Sequence, residues 1–135
     1  MKMMKKMNYQ KTRNIEILHK GNHKGFDFFI ASLGTHPCSY VKIPKKHKYY
    51  NKYYDKIEIN CHGGLTFASD DFMFNPIVVE DSWWIGWDYA HFRDFVGFME
   101  NDGNHEKKWT TEEIFEEIKE VIKQLIEVLD DEKDN

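Results

Sequence analysis

The chain has 135 residues, with 23 acidic against 19 basic side chains and a formal net charge of −4, a balance that argues against a strongly basic nucleic-acid binder. That length suits one domain over residues 1–135, with a core large enough to fold without disulfides or a structural metal. Aromatic residues make up 16% of the chain, which excludes ordinary disorder. Cys38 and Cys61 are far apart, so there is neither a disulfide framework nor a Cys-x-x-Cys zinc pattern. No apolar run approaches the ~20 residues of a membrane span, and the stretch from Met1 to Met7 lacks the apolar core of a signal peptide. A cytoplasmic protein without membrane contact is the expectation.

Charge is unevenly distributed. Residues 1–25 carry a local balance of +6 and residues 100–135 one of −8. Such a field could steer the two ends of the chain together or one protomer to another, or simply mark two solvated surfaces, since at physiological salt it reaches only ~8 Å. Residues 1–7 are expected to fray. Runs rich in β-branched and aromatic side chains then predict strands at 15–19, 26–32, 39–43, 57–61, 65–68 and 83–87. The breaks between them hold Gly21, Gly25, Gly34, Pro37, Pro44, Gly63 and Gly64. Residues 46–55 read as a short helix or a loop in which Tyr49, Tyr50, Tyr53 and Tyr54, at i,i+4 spacing, would share one side. Lys42, Lys45, Lys46 and His47 flank this stretch as a candidate basic rim.

Two segments carry candidate chemistry. In Cys61-His62-Gly63-Gly64-Leu65-Thr66, paired glycines permit positive φ and let backbone N–H groups approach a phosphate or carboxylate; the competing reading is a plain turn. In Trp83-Trp84-Ile85-Gly86-Trp87-Asp88-Tyr89-Ala90-His91-Phe92-Arg93-Asp94, strand alternation puts Trp84, Gly86 and Asp88 on one face and Trp83, Ile85 and Trp87 on the other. Gly86 would leave room beside Trp84 for a planar ligand. Asp88 would either orient the His91 imidazole or cap the turn that begins at Tyr89. Residues 90–99 repeat apolar side chains at helical spacing.

The C-terminal segment gives the clearest periodicity. Ile114, Ile118, Val121, Ile122, Leu125, Val128 and Leu129 form one apolar face, and Thr110 with Glu113 makes a capping box, so residues 111–130 are predicted to be helical. Glu112, Glu113, Glu116 and Glu117 sit in the first turns, where a helix favours negative charge. The predicted fold class is α+β: a mainly antiparallel sheet of about five to six strands covered by a long C-terminal helix.

Three ordered stretches, Cys38-Ser39-Tyr40-Val41-Lys42-Ile43-Pro44, the His62-Gly63-Gly64-Leu65-Thr66-Phe67 segment and Trp83 to His91, together resemble an uncharacterised family of small phage and bacterial proteins. Its members share C-G-Y-V-x-V-P, V-H-G-G-L-T-[YF] and W-W-x-G-F-D-x-A-H-x-x-D motifs before a C-terminal helix. The likeness spans about residues 37–127; Ser39 replaces the glycine and Trp87 the phenylalanine of the pattern, and the N-terminal part has no counterpart. The resemblance implies a phage-type accessory protein, in the host cytoplasm if phage-encoded, and a shared site. It implies no reaction.

Polar residues set among strand-like apolar runs would satisfy one another around a common pocket. The ligand-binding expectation is His62, Gly63, Gly64, Thr66, Trp84, Asp88 and His91, with Lys42 and Arg93 for phosphate. The guest would be a small nucleotide-like or phosphorylated molecule, such as a host immune signal sequestered by a sponge. If the chain were instead a phosphoester hydrolase, His62, Asp88 and His91 would be its acid, base and orienting groups, and His62, Asp88, His91 and Asp94 could gather a metal. A third reading is an inhibitor docking on a host protein through the acidic helix or the tyrosines at 49–54. No cofactor, no resident metal and no DNA or RNA binding are expected, and a homo-oligomer is.

Overall fold

A computed structural model of the chain describes residues 16–32, 36–70, 82–90 and 107–133, the last with side chains to residue 129. The strands are β1 (Glu16–His23), β2 (Phe26–Ser32), β3 (Pro37–Lys42), β4 (Phe67–Ser69) and β5 (Trp84–Asp88), and the helix α1 is Thr111–Lys133. The strands pair antiparallel in the order β1-β2-β3-β5-β4, and with α1 they make an α+β domain. The predicted frayed end at 1–7 and nearly all of the helical turn at 90–99 lie outside the described residues. Among the described residues no helix is long and apolar enough to cross a membrane.

β1 continues through Gly21, a residue expected to end the strand. Gly21 lies opposite Phe28, whose ring would stand 3.3 Å from an added Cβ, so the glycine admits an aromatic neighbour instead of ending the strand. The hairpin to β2 closes at Lys24–Gly25, both with positive φ, the two-residue turn whose twist matches its strands.

Alternation along the strands separates two apolar layers. Phe28, Ile30, Val41, Ile85 and Trp87 face α1 and pack on Ile114, Ile118, Val121, Ile122 and Leu125. Full burial of each such side chain is worth about 1.5–3 kcal/mol, which is what fixes the helix on the sheet. The opposite layer joins Phe29, Ala31, Cys38, Tyr40 and Trp84, with Phe67 at its margin. The predicted partition of the tryptophans holds, but the room expected beside Trp84 does not exist. Tyr40 fills it: an added Cβ at Gly86 would lie 2.6 Å from the Tyr40 ring and 2.8 Å from the Ser39 carbonyl oxygen.

Residues 57–61, predicted as a strand, are extended but pair with no strand among the described residues. Ile57 and Ile59 are buried while Glu58 and Asn60 face solvent, so alternation correctly reports a half-buried extended chain. What it cannot report is who satisfies the backbone. The N–H groups of Glu58, Asn60 and His62 donate to side chains: the Tyr49 hydroxyl at 3.4 Å, Gln124 Oε1 at 2.8 Å and Glu117 Oε2 at 2.7 Å. Gln124 Nε2 also returns a bond to the Asn60 carbonyl at 2.8 Å, so one helical amide imitates a neighbouring strand.

Residues 46–55 are also not one helix, and their tyrosines do not share a side. Asn51 adopts φ +64, breaking the helical phase. Tyr49 turns into the core, while Tyr53 and Tyr54 turn outward, with 68% and 47% of their surface exposed. His47 is buried and not part of a basic rim: its Nδ1 accepts from the Tyr49 N–H and its Nε2 donates to the Leu125 carbonyl at 2.9 Å.

Gly86→Ala is expected to lower stability by about 1–3 kcal/mol in urea denaturation, because the Ser39 backbone cannot withdraw from the new methyl group. Gln124→Ala is expected to accelerate hydrogen exchange at the Asn60 amide selectively, since it removes that amide's acceptor while leaving the sheet ladder intact.

Candidate functional site

The diglycine is a turn. Gly64 N–H donates to the Cys61 carbonyl at 3.0 Å, and Gly63 and Gly64 have φ of +70 and +84. A positive φ at the third turn position is what a type II turn requires. Nothing lies within 4 Å of a Cβ added at Gly64, so backbone conformation, not space, selects glycine there. The amides on either side of Gly63 are already engaged, His62 with Glu117 and Gly64 with Cys61.

The turn delivers the His62 imidazole onto Tyr89, with ring centroids 4.8 Å apart and planes 7° from parallel. Trp109, placed immediately before the helix cap, closes a third side at 4.9 Å from His62 and 5.2 Å from Tyr89. Tyr89 is fully buried and its hydroxyl links several elements. It accepts from Trp87 Nε1 at 3.0 Å and donates to Glu117 Oε1. The other carboxylate oxygen of Glu117 takes the His62 amide. Burial, reinforced by the Glu117 carboxylate, raises the Tyr89 phenol far above its ordinary range, so this group stays protonated.

Outside this aromatic box is an open cleft of about 880 Å³. Asn60, Cys61, His62, Trp109 and Gln124 line it together with four carboxylates, Glu116, Glu117, Glu120 and Glu127. Beside it, the Lys107 ammonium sits 4.4 Å above the Trp109 ring and bonds Glu113 at 2.8 Å. Lys107 and then the Thr110 amide hold the Glu113 carboxyl below its ordinary range. The capping box is formed as predicted: Glu113 N–H donates to Thr110 Oγ1, and Thr110 N–H donates to Glu113 Oε1, both at 3.1 Å.

Of the residues named from sequence, His62 stacks on Tyr89 just past β5 and Thr66 meets Asp88 at the end of β5, while among His62, Gly63, Gly64, Thr66 and Asp88 only His62 lines the cleft. Thr66 Oγ1 donates to Asp88 Oδ2 at 3.4 Å, and Asp88 Oδ1 accepts the Ala90 N–H at 3.2 Å, the turn-capping alternative. Trp84 and Lys42 are cross-strand partners on the face away from α1, so they do not join His62. His91, Arg93 and Asp94 lie outside the described residues. Among the described residues no three His, Cys, Asp or Glu side chains are grouped to hold a metal ion. Tyr89, Trp109 and Glu117 were not singled out from sequence as site residues. Glu117 carried a signal, because it borders the apolar stripe next to Ile118.

Neither thiol is set up as a nucleophile. Burial, then the Glu117 charge, pushes Cys61 up to about 12; burial, then Asp88, does the same to Cys38. Comparison with protein-family models, with curated proteins and with solved structures finds no match to this chain.

Both thiols are expected to react more slowly with a maleimide at pH 8 than in the urea-unfolded chain, because burial keeps them protonated and shields them. Their pKa values are raised on folding, so the thiol contribution to stability is intact below the ordinary 9.0 and falls as pH rises from there toward about 12. Denaturation midpoints should fall across that alkaline window. Glu117→Ala orphans the Tyr89 hydroxyl and the His62 amide and is expected to cost about 1–3 kcal/mol for each in urea denaturation, whereas Glu117→Gln keeps an acceptor and costs less.

Proposed function

We propose that this chain is a non-catalytic binding module whose guest is a small organic cation, an ammonium or guanidinium carried on an apolar or planar body. The observation that carries this reading is the half-buried His62 and Trp109 rings, backed by the buried Tyr89, on a cleft lined by four glutamates. Aromatic faces attract cations, by about 0.5–1 kcal/mol at exposed sites and more when desolvated, and the carboxylates add attraction that salt screens. Trp109 already takes the Lys107 ammonium on its ring, so the chemistry has a precedent inside the molecule.

The nucleotide-like guest expected from sequence is less well supported. A phosphate at this turn would compete for the His62 and Gly64 amides and face the four carboxylates. The hydrolase reading asks for His62 and His91 as acid and base with Asp88 orienting one imidazole; Asp88 instead caps the turn at Ala90 and accepts from Thr66, and the His62 ring lies on Tyr89. An accessory role of the phage type, as the motif resemblance suggests, is compatible with a module that captures its ligand without turning it over.

The test is indole fluorescence and calorimetry with spermidine and agmatine against ATP and ADP-ribose. The polyamines are expected to give a saturable signal that fades at ~1 M salt, where the screening length is about 3 Å. Glu120→Gln with Glu127→Gln, two exposed positions in the cleft, should weaken that binding without changing stability. Binding of the phosphorylated compounds alone would reverse the assignment.

A further inference from the structure

Six of the seven basic residues between positions 26 and 99 are lysines within 42–56, a stretch that carries a single acid, Asp55. The chain-wide charge of −4, from which no nucleic-acid contact is expected, averages this concentration away. A phosphate chain samples only charges within about 8 Å at physiological salt, so the local density matters more than the total.

The same stretch presents rings as well as charge. Tyr53 and Tyr54 are among the few large hydrophobic side chains left exposed in the described residues. They are held on a fixed support. The Trp83 indole N–H donates to the Lys52 carbonyl at 3.0 Å, and the Tyr53 ring meets the Trp83 ring edge-on at 6.3 Å. A 3₁₀ turn at Tyr54–Lys56 follows, closed by Lys56 N–H on the Tyr53 carbonyl at 2.9 Å. At the other end, His47 ties the segment to the Leu125 carbonyl. Five lysines of the same stretch, Lys45, Lys46, Lys48, Lys52 and Lys56, are exposed as well. An ordinary solvated lysine loop has no need for a buried clamp at one end and outward aromatic rings at the other. Outward rings among lysines, on a support that carries little ordering cost, are what stacking on unpaired bases with phosphate neutralisation requires.

We infer that the knuckle at residues 44–56 binds single-stranded nucleic acid, with bases stacked on Tyr53 and Tyr54 and the backbone tracked by the surrounding lysines. This site is separate from the acid-lined cleft and does not depend on its reading. The experiment is fluorescence polarisation of a labelled oligothymidylate on the full chain across a salt series. The logarithm of the binding constant should fall with the logarithm of salt at a slope of about −2 to −3, as three or four neutralised phosphates give. Tyr54→Ala and Tyr53→Ala should each weaken binding about 10-fold, and Tyr54→Phe should restore it, since a phenyl ring stacks equally well. Lys46→Gln with Lys48→Gln should flatten the slope.

Absence of binding would overturn the inference. So would equal affinity for duplex DNA, or binding that dextran sulfate displaces and the tyrosine substitutions leave intact, which would mark a general polyanion surface. Self-association that Glu120→Gln with Glu127→Gln abolishes would overturn it too, by assigning the knuckle to the acidic cleft of a second copy.

Discussion

A single carboxylate ties the sheet, the helix and the turn together. Glu117, two turns into α1, receives the Tyr89 hydroxyl on one oxygen and the His62 amide on the other. Tyr89 in turn receives the Trp87 indole N–H, so the polar chain runs from the core side of β5 through a phenol to the helix and on to the diglycine turn. In a low-dielectric setting each such bond strengthens its neighbours, and each would be costly to leave unmade. The position of the His62 ring is a consequence of this arrangement, because its backbone is held by Glu117 and its face by Tyr89.

This constraint also explains why the cleft lies where it does. α1 covers the sheet with its isoleucine, valine and leucine stripe, and the extended residues 57–62 run beside it, held by Gln124 and Glu117. The helical glutamates that do not face the core are left along the space between that segment and Trp109. Glu116 takes Lys119 as a neighbour at 2.7 Å, an exposed pair of small energetic worth, and Glu120 and Glu127 extend the negative lining outward.

Local periodicity made much of this legible. The helix, its capping box, the β2 strand and the division of Trp83, Ile85 and Trp87 from Trp84 all follow from spacing that one segment carries by itself. Properties that depend on distant partners were not legible. Alternation at residues 57–61 indicated an extended backbone, but the Asn60 amide finds its acceptor on Gln124, 64 positions away, and the adjoining His62 amide on Glu117, 55 positions away. Gly86 announced a close approach, yet a gap awaiting a guest and a gap filled by Tyr40 give the same letter in the sequence. His62 was named from its place beside the diglycine, while Tyr89 and Trp109, whose rings pack against it, were hidden among the many aromatic residues of the chain.

The side-chain anchoring of residues 57–62 separates the evolution of the rim from that of the scaffold. A segment zipped into a ladder must keep its register with every neighbour, so remodelling it disturbs the whole sheet. Here three letters, Tyr49, Gln124 and Glu117, stand in for a neighbouring strand. With Glu117 kept, drift at Gln124 or at the exposed Glu120 and Glu127 can reshape one wall of the cavity and retune what it admits, while the five-stranded platform beneath stays untouched.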